Sequence, residues 1–137
     1  MFEHFSFSKT QLEKYYQSAK RDFQIANTAD VPEVSFHFCY NALVKLAITI
    51  CAIKGLRVKS KKGHHIELIK RMSLYLNDPE IEILASEMRA KRNWDLYGGG
   101  TLISIKEAKS YLNWAREIFQ KAEKQIENKQ PKLKLFQ

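Results

Sequence analysis

Apolar residues return at three- and four-residue steps along most of the chain, the spacing that lines up side chains on one face of an α-helix. The first stripe is Leu12, Tyr16, Ala19, Phe23 and Ala26, with Lys14, Gln17, Arg21 and Gln24 on the opposite face. Ser8 to Gln11 and Thr10 to Glu13 both fit the capping box that opens a helix, and the pattern runs out near Asn27 and Thr28. Asp30, Val31 and Pro32 predict the next start, with Asp30 as cap and the proline in the first turn. The helix that follows carries Phe36, Tyr40, Leu43, Val44, Ala47, Ile48, Ile50 and Cys51 and ends at Gly55. It is apolar on nearly every side, which places it centrally, against several neighbours. His37 and Asn41, one turn apart on it, read as satisfied polar groups of the core, with membership of a site as the alternative.

A shorter third helix is expected from His64 to near Leu76. Asn77-Asp78-Pro79-Glu80 restarts the chain with Asp78 as cap and Pro79 in the first helical position. The fourth helix has the stripe Ile81, Leu84, Ala85 and Met88, and Gly98, Gly99 and Gly100 end it by supplying a left-handed C-cap. Ser104 to Glu107 is a further capping box, followed by Ala108, Leu112, Ala115, Phe119, Ala122 and Ile126. The aromatic lead-in MFEHFSF packs as a short extension or faces a partner, and the tail QPKLKLFQ is frayed or docked. Neither an internal repeat nor a low-complexity tract interrupts the series. The expected fold is all-α: an up-and-down four-helix bundle with an additional short helix. One domain spans residues 1–137, with a core over about 8–129 and a tail at 130–137.

One position breaks the pattern. After Met88 the next residue on the stripe of the fourth helix is Arg92, followed by Asn93, Asp95 and Tyr97. A cation on an apolar stripe must find partners or line a cavity, because burying it alone is prohibitive. A conflict between pattern and residue type is where function is sought. The plainer alternative is that Arg92 ties the helix end to a carboxylate, with Asp95 the local candidate, while Asn93 caps and Tyr97 plugs the space above the glycines. Trp94 reads as an interface residue.

Composition narrows the class. With 137 residues, 45% hydrophobic and 28% charged, the chain suits one globular domain, and five glycines and three prolines lean towards helix. No unbroken apolar run approaches the ~18 residues of a membrane span, and the opening residues lack a signal-peptide pattern. Cys39 and Cys51 lie more than three turns apart on one predicted helix, so they cannot pair with each other and read as buried thiols of a cytoplasmic protein.

The net charge of +8 favours acidic partners such as nucleic acid, nucleotides or an acidic protein. Its densest run is Lys54, Arg57, Lys59, Lys61 and Lys62, either a solvated loop or a loop that follows phosphates. His64 and His65 come next. Adjacent helical side chains diverge by about 100°, so this pair does not chelate one metal, and a structural zinc site has little support. The residues call for no metal and no cofactor.

Arg92-Asn93 with Tyr97 and Gly98, the YNALVKLAITICAIKG helix at 40–55 and the Gly63-His64-His65 start of the next helix resemble the HEPN (higher eukaryotes and prokaryotes nucleotide-binding) superfamily. The resemblance covers roughly Leu12 to Ile126. It implies nucleotide or RNA binding, and, in nuclease members, metal-independent cleavage of RNA by an arginine followed after four to six residues by a histidine. Small members are often encoded beside a minimal nucleotidyltransferase as toxin–antitoxin or defence pairs. Carried over, Arg92 is the motif arginine and Asn93 its polar neighbour, while Tyr97 stands where the histidine belongs.

That departure matters chemically. Imidazole titrates near neutral pH, whereas a tyrosine with a pKa near ~10 is a poor base. Arg92 can still grip phosphate, and Tyr97 can stack on a base. Expected nucleic-acid contacts are therefore Lys54, Arg57, Lys59, Lys61, Lys62, His64, Arg89 and Arg92, with Arg92, Asn93 and Tyr97 the residues of any catalysis. Three functions follow: a nucleotide- or RNA-binding domain with weak or absent nuclease activity, an active endoribonuclease toxin in which Tyr97 or a neighbouring histidine (His64 or His65) replaces the usual one, or a non-catalytic bundle partnering a nucleotidyltransferase. A homodimer is expected, because the family composes one cleft from two motifs and Trp94, Phe2, Phe5 and Phe7 are spare aromatics. Each binding reading requires that the Arg92 guanidinium not splay into bulk solvent.

Overall fold

A computed structural model of the chain describes residues 2–59, 64–99 and 103–129, without the side chains of 95–97 and 129. Five helices dominate it: α1 (Lys9–Thr28), α2 (Pro32–Ile53), α3 (His64–Tyr75), α4 (Pro79–Tyr97) and α5 (Ile105–Lys129). The fold is mostly helical, as the periodicity predicts.

The helix starts follow local chemistry. Ser8 caps α1 through a reciprocal box with Gln11, satisfying two backbone N–H groups that the first turn leaves open. Asp78 accepts from the Glu80 N–H at 3.2 Å ahead of α4, and Ser104 with Glu107 forms the box that opens α5. At α2 the expectation is corrected: the cap position is Val31, no side chain caps it, and Asp30 lies one residue further out. Pro32 at the first helical position lacks an N–H, so the start needs one donor fewer satisfied. At the end of α4, Gly98 has φ −106°, and the left-handed residue is Gly99 at φ +97°.

Central placement of α2 is realised, for it packs on α1, α3, α4 and α5. Phe36, Cys39, Tyr40, Leu43, Leu46, Ala47 and Ile50 are all buried. By length and composition α2 could also cross a membrane, with a mean hydropathy of 1.6 over 18 residues, and 67% of that window is buried among the other helices. His37 and Asn41 do not lie in the core. They share a half-buried stripe with Lys45, and His37 packs edge-on against Phe36.

Side-chain pairs set the helix directions. Ser35 donates to the Ala26 carbonyl and Lys45 meets the buried Asp22 at 2.9 Å, so α1 and α2 run oppositely. Tyr16 with Glu123, Phe23 with Phe119 and Asn27 with Arg116 set α5 antiparallel to α1. Asp78 with Lys121, Glu87 with Tyr111 and Lys91 with Glu107 set α4 antiparallel to α5. The short α3 runs beside α2 in the same sense, since His65 lies by Tyr40 and Tyr75 lies by Lys54.

The periodicity gives no warning of one small feature. β1 (Phe2–His4) pairs antiparallel with β2 (Leu56–Val58), Glu3 facing Arg57. The aromatic lead-in thus docks on its own chain, and the middle of the expected cationic loop is a strand.

Candidate anion-binding site

Where α4 passes the first half of α2, its apolar stripe gives way to charge. Ile81, Ala85 and Met88 are buried, and one turn on from Met88 the half-buried Arg92 lays its guanidinium over the Tyr40 ring, 5.8 Å from the centroid. That is within the ~6 Å reach of a cation–π contact. Tyr40 is itself 1% exposed, so its ring is a fixed base rather than a mobile neighbour.

Arg89 and His65 complete the group. His65, from α3, stands with its ring 6.1 Å from Tyr40 and 4.5 Å from His64. The two histidines, expected to diverge, meet edge to face because His64 is the first residue of its helix and is not fixed by a preceding turn. Burial pushes the His65 imidazole below its usual pKa, and the charges of His64, Arg92 and Arg89 push it the same way. Burial raises the Tyr40 hydroxyl, while Arg89 and Arg92 pull it partly back. Among the described residues, no carboxylate forms an ion pair with Arg89 or Arg92. The crease between Tyr40, His65, Ile69 and Arg89, lined also by Glu82, encloses only about 10 Å³, space for one water and too little for a nucleobase.

The other expected cations lie elsewhere. Lys54 follows the end of α2, 14 residues after Tyr40, roughly 21 Å away along the helix at ~1.5 Å per residue. Its ammonium sits 4.4 Å from the centre of the Tyr75 ring. Arg57 donates from Nε to Glu3 at 2.6 Å and covers the Phe5 ring, and Lys59 approaches the same carboxylate at 3.9 Å. Lys61 and Lys62 lie outside the described residues, as does the Tyr97 side chain. Asn93 is half-buried beside Arg92, and Trp94 is exposed, with its indole folded over Gly98 so closely that a Cβ there would come within 2.6 Å of it. Lys91 serves the fold instead, bonding Glu107 at 2.9 Å and so joining α4 to α5.

Two members of the cluster are absent from the expected site residues, although both lie in segments on which the HEPN resemblance rests. Tyr40 reads there as one more core aromatic, and the expected contacts include His64 rather than His65. Only the approach of α3 and α4 to α2 distinguishes them. Comparison with protein-family models, curated proteins and solved structures found no match to this chain.

Proposed function

We propose that this chain is a HEPN-like domain that binds RNA or a nucleotide through its phosphates. The observation that carries the reading is the Arg92 guanidinium, folded over the Tyr40 ring beside Arg89 and His65 instead of splayed into solvent. Guanidinium groups offer forked donors to phosphate oxygens, and cations without carboxylate partners keep their field for a ligand. The alternating directions of α1, α2, α4 and α5, with α3 as a short extra, support the up-and-down four-helix arrangement expected of such a domain. In this reading the protein is cytoplasmic and homodimeric, two motifs composing one cleft, and it forms part of a toxin–antitoxin or defence pair with a minimal nucleotidyltransferase as partner.

A second reading, a metal-independent endoribonuclease, is favoured by one observation. The motif lacks its histidine at Tyr97, yet α3 brings His65 to the arginines with its imidazole held neutral, the form that accepts a proton.

Binding of single-stranded polyuridylate at several salt concentrations tests the first reading. Affinity is expected to fall steeply with salt and to be lost largely in Arg92→Ala. Salt-insensitive or unchanged binding would leave the protein-interaction reading in its place. Incubation of RNA in EDTA with wild type and His65→Asn tests the second: equal survival of the RNA ends it. Light scattering checks the dimer, and a monomeric mass at micromolar concentration contradicts it.

A further inference from the structure

A roomy polar cavity with an apolar floor lies away from Tyr40, between the α1–α2 connection and the first half of α5. It encloses about 390 Å³, a size typical of small-molecule sites. Its floor is built of small and aliphatic residues, chiefly Ala26, Ala108 and Leu112, all buried. Ile105, 63% exposed, stands at the cavity wall with its side chain uncovered.

Charge of both signs enters this cavity from different elements, two cations (Arg116 and Lys109) from α5 and one carboxylate (Asp30) from the α1–α2 connection. Arg116 comes from α5, with its Nη1 donating to the Asn113 side-chain oxygen at 2.8 Å and its Nη2 donating to the Asn27 side-chain oxygen at 2.7 Å. The guanidinium also lies over the Phe23 ring at 5.6 Å. Two neutral amides and a ring face fix its orientation without cancelling its charge, so it meets a ligand already ordered. From the α1–α2 connection comes Asp30, which caps no helix. Among the described residues, no ion pair joins Asp30 to Arg116, and no other salt bridge engages either group.

A carboxylate and a fixed guanidinium sharing one cavity, unpaired with each other, are matched by a ligand that carries the opposite charges. We infer that this cavity binds a small zwitterion with an aliphatic portion, of the class of an α-amino acid or short peptide. Its carboxylate is held by Arg116, its ammonium by Asp30, and its hydrocarbon lies on Ala108 and Leu112 against Ile105. A simple cation would meet repulsion from both Arg116 and Lys109, and a simple anion would meet it from Asp30 and leave that carboxylate without a counter-charge. The inference is independent of the Tyr40 site.

The test is a titration of the full chain followed by amide chemical shifts, with L-leucine, hexanoate and hexylamine as probes. Leucine is expected to shift the amides of Ala108, Leu112 and Asn113 saturably, with an affinity about tenfold above either singly charged probe, the worth of one added charged contact. Arg116→Gln should weaken leucine about tenfold and leave hexylamine no weaker, whereas Asp30→Asn should weaken leucine and leave hexanoate no weaker. The inference is overturned if hexanoate or hexylamine binds as tightly as leucine, if either substitution leaves leucine affinity unchanged, or if the shifts fall elsewhere. The amide spectrum of each variant reports its folding in the same experiment.

Discussion

Two clusters of cations among the described residues differ in what surrounds them. At the strand pair, Arg57 and Lys59 share the carboxylate of Glu3, and Lys54 and Arg57 lie over aromatic rings. At Tyr40, Arg89 and Arg92 meet the neutral imidazole of His65 and an aromatic floor, with no carboxylate among the described residues in an ion pair with them. The first cluster is denser in the sequence, while the second keeps more of its field. Cation density along the chain is thus a poor guide to where positive charge stays unpaired, because a single strand pairing can bring a carboxylate from 54 residues away.

The most severe way to break the comparison is to remove the platform. Tyr40→Ala should destabilise the fold by about 3–5 kcal/mol, as for other buried aromatics, measured by denaturant unfolding. A loss below ~1 kcal/mol would show that the ring is not packed as described. Next in size, Arg89→Ala with Arg92→Ala should lower polyuridylate affinity on the order of a hundredfold, with little change in stability. Arg57→Ala should lower it by less than about twofold, since that charge is already engaged by Glu3. Equal losses at the two places would erase the distinction.

Glu3→Gln sharpens it from the other side. Freed of their shared carboxylate, Arg57 and Lys59 should raise polyanion affinity by up to about fivefold at low salt, the scale of an exposed ion pair. The gain should vanish as salt rises, and a decrease would contradict the assignment. The smallest effect concerns His65. Its folded pKa lies below the ordinary 6.5. As pH falls through 6.5 the unfolded chain takes up a proton that the folded chain refuses, so stability should decline from there down to the folded pKa. His65→Asn should flatten that part of the profile, and a nuclear magnetic resonance titration of His65 at or above 6.5 would refute the premise.

Much of the fold is legible in sequence because helices announce themselves locally. The stripes Leu12–Tyr16–Ala19 and Ala108–Leu112–Ala115 are buried as their spacing requires, and the boxes at Ser8 and Ser104 form. The strand pair is not legible, because three residues are too few to show a two-residue alternation and their partners are far apart in the chain. The buried Asp22, salt-bridged to Lys45, escapes for a related reason: its partner lies on another helix. At the site, Arg92 is detectable as a charge on an apolar stripe. Tyr40 is not, since an aromatic in an apolar helix obeys the local pattern, and His65 is legible only as one of an adjacent pair, with nothing local to say which of the two reaches the arginines. Their meeting is a product of how α3 and α4 pack on α2.

The two cysteines of α2 have a practical consequence. Both thiols are buried and free, Cys39 donating to the Tyr111 carbonyl at 3.6 Å, and burial pushes their pKa values up to about 12 and about 11. At neutral pH neither is a nucleophile while α2 stays clasped by its neighbours. An alkylating reagent therefore waits for the helices to part, and its uptake becomes a clock for the opening of the molecule's innermost strut. A ligand that tightens the bundle should slow that clock.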